Sequence, residues 1–75
     1  MVGKKGNFFY QRLGDRVCNE RTNQKLSQHR LGLISEVDRT YITRIEKGRA
    51  NPTIKCLSKI AGALRIKLSQ LLRGV

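Results

Sequence analysis

A row of cationic and hydroxylic side chains falls on one side of a short predicted helix. The row consists of Arg39, Thr40, Thr43, Arg44 and Lys47. At 3.6 residues per turn, it faces away from the apolar pair Ile42 and Ile45. An arginine fork can donate two hydrogen bonds to the O6 and N7 atoms of guanine, and a threonine methyl group can pack against that of thymine. Arg39 or Arg44 beside Thr40 is therefore a candidate reader of DNA bases, and the alternative is an ordinary solvated surface.

The sequence offers little for catalysis or metal binding. Glu36 and Asp38 are the carboxylate pair of note, but they belong to a predicted corner and a helix cap, with no nucleophile and base beside them. His29 has no Cys or acidic ligand at metal spacing, and we expect it to be exposed. Cys18 and Cys56 are far apart and outside any CxxC pair, which favours small buried apolar side chains. We therefore predict no enzyme activity, no cofactor, no metal and no small-molecule ligand.

The charge balance indicates a polyanionic partner. The 75-residue chain has 16 Lys and Arg against 5 Asp and Glu, a formal net charge of +11. Nucleic acid is the expected partner, and an anionic membrane surface is the alternative. A membrane-surface protein would need long basic amphipathic helices, whereas the apolar stripes here are short. No window approaches the ~20 apolar residues of a membrane span, and the start MVGKKGN lacks the apolar core of a secretion signal, so we predict a cytoplasmic protein.

The chain is short enough for one domain after a tail. Residues 1–7 contain two Gly and two Lys without periodicity, which predicts a flexible basic tail. Residues 8–75 are predicted to form the folded domain. Apolar residues recur every four positions from Phe9 to Val17, which predicts a first helix that ends at about Asn23.

Polar residues predict where the next helices start. Ser27 can cap the second helix and Asp38 the third, which Gly48 would end in a left-handed conformation. Asn51 can cap the fourth helix, with Pro52 at its first position, where a missing amide costs nothing. An apolar stripe predicts that the fourth helix lies in the core, and its members are Ile54, Leu57, Ile60, Ala61 and Leu64.

The C-terminal residues are more apolar than a short last helix over residues 69–73 needs for its own packing. Leu68, Leu71, Leu72 and Val75 are the members of this group. We predict that they form a homodimer interface, and the alternative is that they close the core of the monomer. A symmetric dimer would place two third helices about 34 Å apart, one turn of DNA, and would require a palindromic site.

From residue 13 to residue 72 the sequence resembles the lambda-repressor and Cro-like helix-turn-helix family, also called the xenobiotic-response-element family. The resemblance lies in LGDRVCNERTNQKLSQ, DRTYITRIEKGRANPT and LSKIAGALRIKLSQLL. Within the family, DRTYI followed by IE.G looks most like the controller proteins of restriction-modification systems, although phage repressors and antitoxin-like regulators share most of it. The resemblance implies an all-α, compact five-helix DNA-binding domain.

The resemblance also implies residue roles, position by position. Gln28 would bind a DNA phosphate at the start of the second helix. Arg21 and Glu46 would form a salt bridge between the first and third helices. Tyr41 either packs on the core edge or reaches a phosphate. The positions that would reach base edges are Arg39, Thr40 and Arg44, with Thr43 beside them. The remaining phosphate contacts would come from Lys47, Arg49 and Asn51.

The sequence departs from the family at three corners, where Lys25, Glu36 and Arg65 stand in place of the usual glycine. A side chain held at positive φ costs roughly 1 kcal/mol or more, unless the corner adopts another turn type. Glu36 could instead touch RNA polymerase and turn a repressor into an activator. The alternative is an ordinary turn substitution.

The predicted function is sequence-specific transcriptional regulation. A homodimer would bind a palindromic operator in double-stranded DNA, with the third helix in the major groove, and would repress by occluding a promoter. The chief alternative is an antitoxin-type protein-interaction module that binds DNA secondarily.

Overall fold

A computed structural model describes the backbone of residues 2–75 and the side chains of residues 8–75. Its elements in chain order are α1 (Val2–Asn23), α2 (Gln28–Ser35), α3 (Arg39–Glu46), α4 (Ile54–Ala63) and α5 (Leu68–Leu71). The described part of the chain contains no strand, so the prediction of an all-α, five-helix fold is confirmed. None of these helices is long and apolar enough to cross a membrane.

The first helix begins at Val2, earlier than the start near Phe8 that the sequence predicted. The backbone of residues 2–7 continues α1 although these residues lack apolar periodicity, so the predicted start is wrong. Flexibility of this basic segment stays a prediction, because Met1 and the side chains of residues 1–7 lie outside the described residues. The predicted end of α1 at Asn23 is confirmed.

A single apolar core joins the five helices. Its buried members are Leu13, Val17, Leu31, Ile42, Ile45, Ala50, Leu57, Ile60, Ala61, Leu64 and Leu71. α3 packs against α1 and α2, α2 also packs against α4, and α5 packs against α1 and α4. Each fully buried aliphatic side chain contributes roughly 1.5 to 3 kcal/mol, so this core is the main source of stability.

The first residues of two predicted apolar stripes lie outside the core. Phe9 is 42% exposed and Ile54 is 61% exposed, so the prediction that Ile54 belongs to the core stripe of the fourth helix is wrong. Both residues line a shallow groove together with Leu72. Cys18 and Cys56 are only half-buried, and both are free thiols.

The helix starts follow the predicted caps in part. Ser27 Oγ accepts a hydrogen bond from the Arg30 amide at 2.9 Å, which confirms the cap of α2. Asp38 occupies the cap position of α3, but its side chain makes no capping hydrogen bond. The cap of α4 is Thr53 rather than Asn51, because the chain stays extended through Thr53, whose Oγ1 accepts from the Cys56 amide at 3.1 Å. Pro52 is therefore a buried loop residue and not the first helical residue.

Three helix corners hold a charged residue in the left-handed conformation. Lys25, Glu36 and Arg65 have φ values of 59°, 60° and 61°. After each, the next amide donates to the carbonyl five residues earlier, at 3.0 to 3.2 Å. Gly48, with a φ of 72°, makes the same corner after α3, as predicted. The hydrogen bonds satisfy helix-end carbonyls, and they hold the three strained residues in place.

Two buried glycines allow α3 to approach the helices beside it. A Cβ atom on Gly32 would lie 2.9 Å from the Val37 carbonyl oxygen, so the absence of a side chain lets the start of α3 pass close to α2. On α1, a Cβ atom on Gly14 would overlap the carbonyl oxygen of Ile45 and lie 2.8 Å from that of Glu46. Gly14 therefore lets the backbone of α1 touch the end of α3.

Candidate nucleic-acid interface

The outer face of α3 carries the side chains that the sequence singled out. Arg39, Thr40 and Arg44 are exposed, whereas Ile42 and Ile45 on the opposite face are 0% and 1% exposed. The amphipathic pattern of α3 thus determines which side chains face solvent. Three more predicted contact residues are exposed in and after the α3 corner, namely Lys47, Arg49 and Asn51.

Arg44 lies against two neighbours on the protein surface. Its guanidinium carbon is 5.8 Å from the centre of the Tyr41 ring, within the range of a cation–π contact. Its Nη2 is 3.4 Å from the carbonyl oxygen of Arg49. The Tyr41 ring is half-buried against the core, which agrees with one of the two placements left open by the sequence. Arg44 thus has two contacts within the protein, one with an aromatic ring and one with a backbone carbonyl.

Thr43 differs from the other members of the row because it is half-buried and bonded within the protein. Its hydroxyl donates to Gln28 Oε1 at 2.8 Å, and it lies 3.1 Å from the carbonyl oxygen of Arg39. The Gln28 contact joins α3 to the first residue of α2. Thr43 and Gln28 are fifteen positions apart, and no sequence periodicity could have indicated this bond.

The ion pair implied by the resemblance joins α1 to α3. Arg21 Nε is 2.7 Å from Glu46 Oε2, and Arg21 Nη2 is 3.0 Å from Glu46 Oε1. Arg21 also donates to the carbonyl oxygen of Leu26 at 2.7 Å, after the α1 corner. The two side chains are only 13% and 6% exposed, so the pair is largely removed from solvent.

Hydrogen bonding shifts the pKa of both partners towards their charged forms. The hydrogen bond to Glu46 is the main reason why the pKa of Arg21 is raised above its ordinary value. Burial acts to raise the pKa of Glu46, but hydrogen bonds from Arg21 and Gln28 and the charge of Arg21 outweigh it, so this pKa is lowered. Glu46 is therefore an ionised acceptor, and Gln28 Nε2 donates to its Oε1 at 3.0 Å.

Two short helices joined by a tight corner, α2 and α3, thus present one polar face. A model of the helix-turn-helix family matches residues 19–71. The chain belongs to the helix-turn-helix family. The predicted resemblance is confirmed, and in helix-turn-helix terms α2 and α3 are the two helices of the motif.

Relatives of this helix-turn-helix chain include a repressor and two controller proteins. It is 37% identical over 57 residues to an immunity repressor protein of Bacillus phage phi105, which is 76% of this chain but only 40% of that protein. The crystal structure of the restriction-modification controller protein C.AhdI from Aeromonas hydrophila has a TM-score of 0.81 and 34% identity, covering 83% of this chain and 94% of that one. The controller protein C.Esp1396I has a TM-score of 0.78 and 29% identity, with 87% of each chain covered. By their names these relatives are regulators and not enzymes, as predicted for this helix-turn-helix chain.

The C-terminal apolar residues of the helix-turn-helix domain divide into two sets. Leu71 is 0% exposed and belongs to the core, so the prediction that it contacts a second copy is wrong. The predicted contact residues that keep some exposed surface are Leu68, Leu72 and Val75. Leu72 also lines a shallow apolar groove beside the exposed Phe9 and Ile54. The distinction between Leu71 and its neighbours depends on packing that the sequence does not specify.

The described side chains offer no metal site, since no three His, Cys, Asp or Glu residues among them are grouped as ligands would be. His29 is exposed, as expected, and lines a shallow concavity with Leu33 and Glu36 at the α2–α3 corner. Among the described residues, exposed Lys and Arg outnumber exposed Asp and Glu. Such a surface suits an anionic polymer.

Proposed function

We propose that this protein is a transcriptional regulator that binds double-stranded DNA sequence-specifically, with α3 in the major groove. The observation that carries the proposal is the position of Arg39, Thr40 and Arg44, exposed on α3 directly opposite the buried Ile42 and Ile45. A recognition helix needs this division, because its inner face must hold the helix while its outer face reaches base edges. Membership of the helix-turn-helix family supports the same placement of α3.

Base reading in this account comes from Arg39, Thr40 and Arg44. Arg39 and Thr40 lie in the first turn of α3, the end that enters the groove in helix-turn-helix proteins. Arg39 can donate two hydrogen bonds to guanine, and the Thr40 methyl group can pack on thymine. Arg44 lies one turn further along, so it reads a neighbouring base pair once it leaves Tyr41.

Phosphate binding comes from the residues around α3. Gln28 stands at the start of α2, where backbone amides and the helix dipole favour an anion. Three exposed residues follow α3 and would contact the backbone of the same duplex, namely Lys47, Arg49 and Asn51. Because the protein has a net charge of +11, its DNA binding should depend strongly on salt. Each neutralised phosphate contributes a slope of about −0.9 in a plot of log K against log salt concentration.

Two copies would bind a palindromic operator. The support is the apolar surface that the C-terminal residues leave exposed: Leu68, Leu72 and Val75 are half-buried. Leu72 also lines a groove with the exposed Phe9 and Ile54. Burying such a surface between two copies would bring two α3 helices to successive turns of DNA, about 34 Å apart. Sedimentation at micromolar concentration should show twice the monomer mass, and Leu72→Glu should shift the protein to monomer.

The proposal is tested by selection of bound sites from a random pool of duplex DNA. We expect a palindromic consensus with two half-sites one helical turn apart, and affinity that falls steeply between low and physiological salt. Enrichment of no sequence would contradict specific recognition. Affinity that does not respond to salt would contradict binding of the DNA backbone.

A further inference from the structure

The side-chain amide of Gln28 is held from two sides between α2 and α3. Nε2 donates to Glu46 Oε1 at 3.0 Å, and Oε1 accepts from Thr43 Oγ1 at 2.8 Å. An ionised carboxylate can only accept hydrogen bonds, so the amide nitrogen and not the oxygen must face Glu46. The Thr43 hydroxyl then completes the set by donating to the oxygen. The two partners together fix one orientation of the amide.

One hydrogen of this amide group has no partner among the described residues. The nitrogen carries two hydrogens, and Glu46 accepts one of them. The second is available to an acceptor at the start of α2. A phosphate oxygen of DNA is such an acceptor, and the proposed function places one there.

We infer that Thr43 is a positioning residue, which orients the Gln28 amide for a phosphate contact and does not itself read bases. This inference rests on the proposed DNA-binding function. Thr43 is half-buried, unlike Arg39, Thr40 and Arg44. Thr43 Oγ1 lies 2.8 Å from Gln28 Oε1 and 3.1 Å from the Arg39 carbonyl oxygen, so Gln28 is the closer acceptor for its single hydroxyl hydrogen. The hydroxyl is therefore occupied within the protein.

The same contacts give the buried ion pair a role in DNA binding. Glu46 accepts from Arg21 and from Gln28 at once, with Oε1 shared between them at 3.0 Å each. The pair thereby anchors the amide from the side opposite Thr43. Two helices of the domain, α1 and α3, cooperate to position a single donor of α2.

Two substitutions at Thr43 separate the hydroxyl from the methyl group. Thr43→Val removes the hydroxyl and keeps a methyl group that could pack on thymine, whereas Thr43→Ser keeps the hydroxyl and removes the methyl group. Thr43→Ala also lacks the hydroxyl and serves as a second variant should Val not be accommodated. Each variant is titrated against the selected operator and a scrambled duplex, and its thermal midpoint is measured alongside.

We expect Thr43→Val and Thr43→Ala to weaken DNA binding roughly two- to ten-fold, and by the same factor on both duplexes. A loss of this size corresponds to about one hydrogen bond. Thr43→Ser should bind like the wild type. Gln28→Ala should cost roughly ten-fold or more on both duplexes, and Thr43→Val should add nothing to it, because the amide that Thr43 orients is then absent. A structural effect of Thr43 alone would persist in the Gln28→Ala background.

Several results would overturn the inference. Loss of base preference in Thr43→Ser but not in Thr43→Val would make the Thr43 methyl group a base reader. Losses from Thr43→Val and Gln28→Ala that simply add would show that the two residues act separately. If the wild type binds neither duplex, the proposed function itself fails. If Gln28→Ala binds as tightly as the wild type while Arg39→Ala does not, DNA binding stands and only the positioning role is wrong.

Discussion

Arg21 and Glu46 connect the first helix to the end of α3 by two side-chain hydrogen bonds of 2.7 and 3.0 Å. Because the two side chains are 13% and 6% exposed, removal of one charge leaves the other largely buried without its partner. The pair therefore ties α1 to the end of α3, and removing one partner should destabilise the domain.

Replacing the carboxylate should destabilise the fold strongly. Glu46→Ala strands the Arg21 guanidinium, and for a buried pair this typically costs about 3 to 5 kcal/mol of unfolding free energy. The matched control is Glu20→Ala, which breaks the more exposed pair of Arg16 and Glu20 at 3.3 Å and should cost less than about 1 kcal/mol. Urea unfolding of both variants measures the two losses of unfolding free energy. Equal losses would mean that Glu46 is as well solvated as Glu20.

Stability should decline in acid because of the same carboxyl group. The pKa of Glu46 is lowered in the folded state from its ordinary value of 4.5, so the unfolded chain binds the proton more readily. The contribution of the ion pair is thus complete above about pH 4.5 and is lost as the pH falls through the folded-state pKa. Unfolding at a series of pH values should show this loss in the wild type and a weaker one in Glu46→Gln. Parallel curves would exclude Glu46 as the group responsible.

Glycine at the left-handed corners should raise the stability of the domain. Lys25→Gly and Arg65→Gly relieve φ values of 59° and 61°, and each should raise the unfolding free energy by about 0.5 to 1 kcal/mol. The control is Lys59→Gly, an exposed position inside α4, which should lower it by about 1 kcal/mol. Shifts of the urea midpoint measure all three. A loss at Lys25 or Arg65 would mean that the charged side chain makes contacts worth more than the strain.

Replacing Gly14 or Gly62 by alanine should change the stability of the domain in opposite directions. Gly14→Ala forces a Cβ atom against the backbone oxygens of Ile45 and Glu46, and we expect a loss of about 1 to 3 kcal/mol. Gly62→Ala lies in α4 with no atom within 4 Å of the new Cβ, and it should gain about 0.5 to 1 kcal/mol. Thermal midpoints that move in the same direction would contradict the close contact between α1 and α3.

The sequence predicted the helices and most of the outer face because local periodicity encodes both. The pair Ile42 and Ile45 is enough to orient α3, and Gly48 is enough to end it. The cap of α4 was misassigned because Asn51 and Thr53 are both capping residue types, and only the extended path of the chain around Pro52 distinguishes them.

Long-range packing explains the remaining differences. Leu71 and Leu72 are identical in type, yet one is enclosed by the core and the other keeps exposed surface, which depends on where α5 meets α1 and α4. The bond between Thr43 and Gln28 joins two helices, so it exists only once their crossing is known. Helical spacing and residue type together grouped Thr43 with Thr40, Arg39 and Arg44, and neither could show that Thr43 is bonded within the protein.

The central claim is that side chains of α3 read bases while their neighbours bind phosphates. It is tested most directly by titrating Arg39→Ala, Arg44→Ala and Lys47→Ala against the selected operator and a scrambled duplex at several salt concentrations. Each arginine variant should lose about 1 to 3 kcal/mol of binding free energy on the operator and should relax the preference at one base pair of each half-site. Lys47→Ala should weaken binding to both duplexes by the same factor, and it should reduce the slope of log K against log salt by about one for each bound copy. Equal losses on both duplexes for Arg39→Ala and Arg44→Ala would show that α3 is only an electrostatic surface and that these arginines do not read bases.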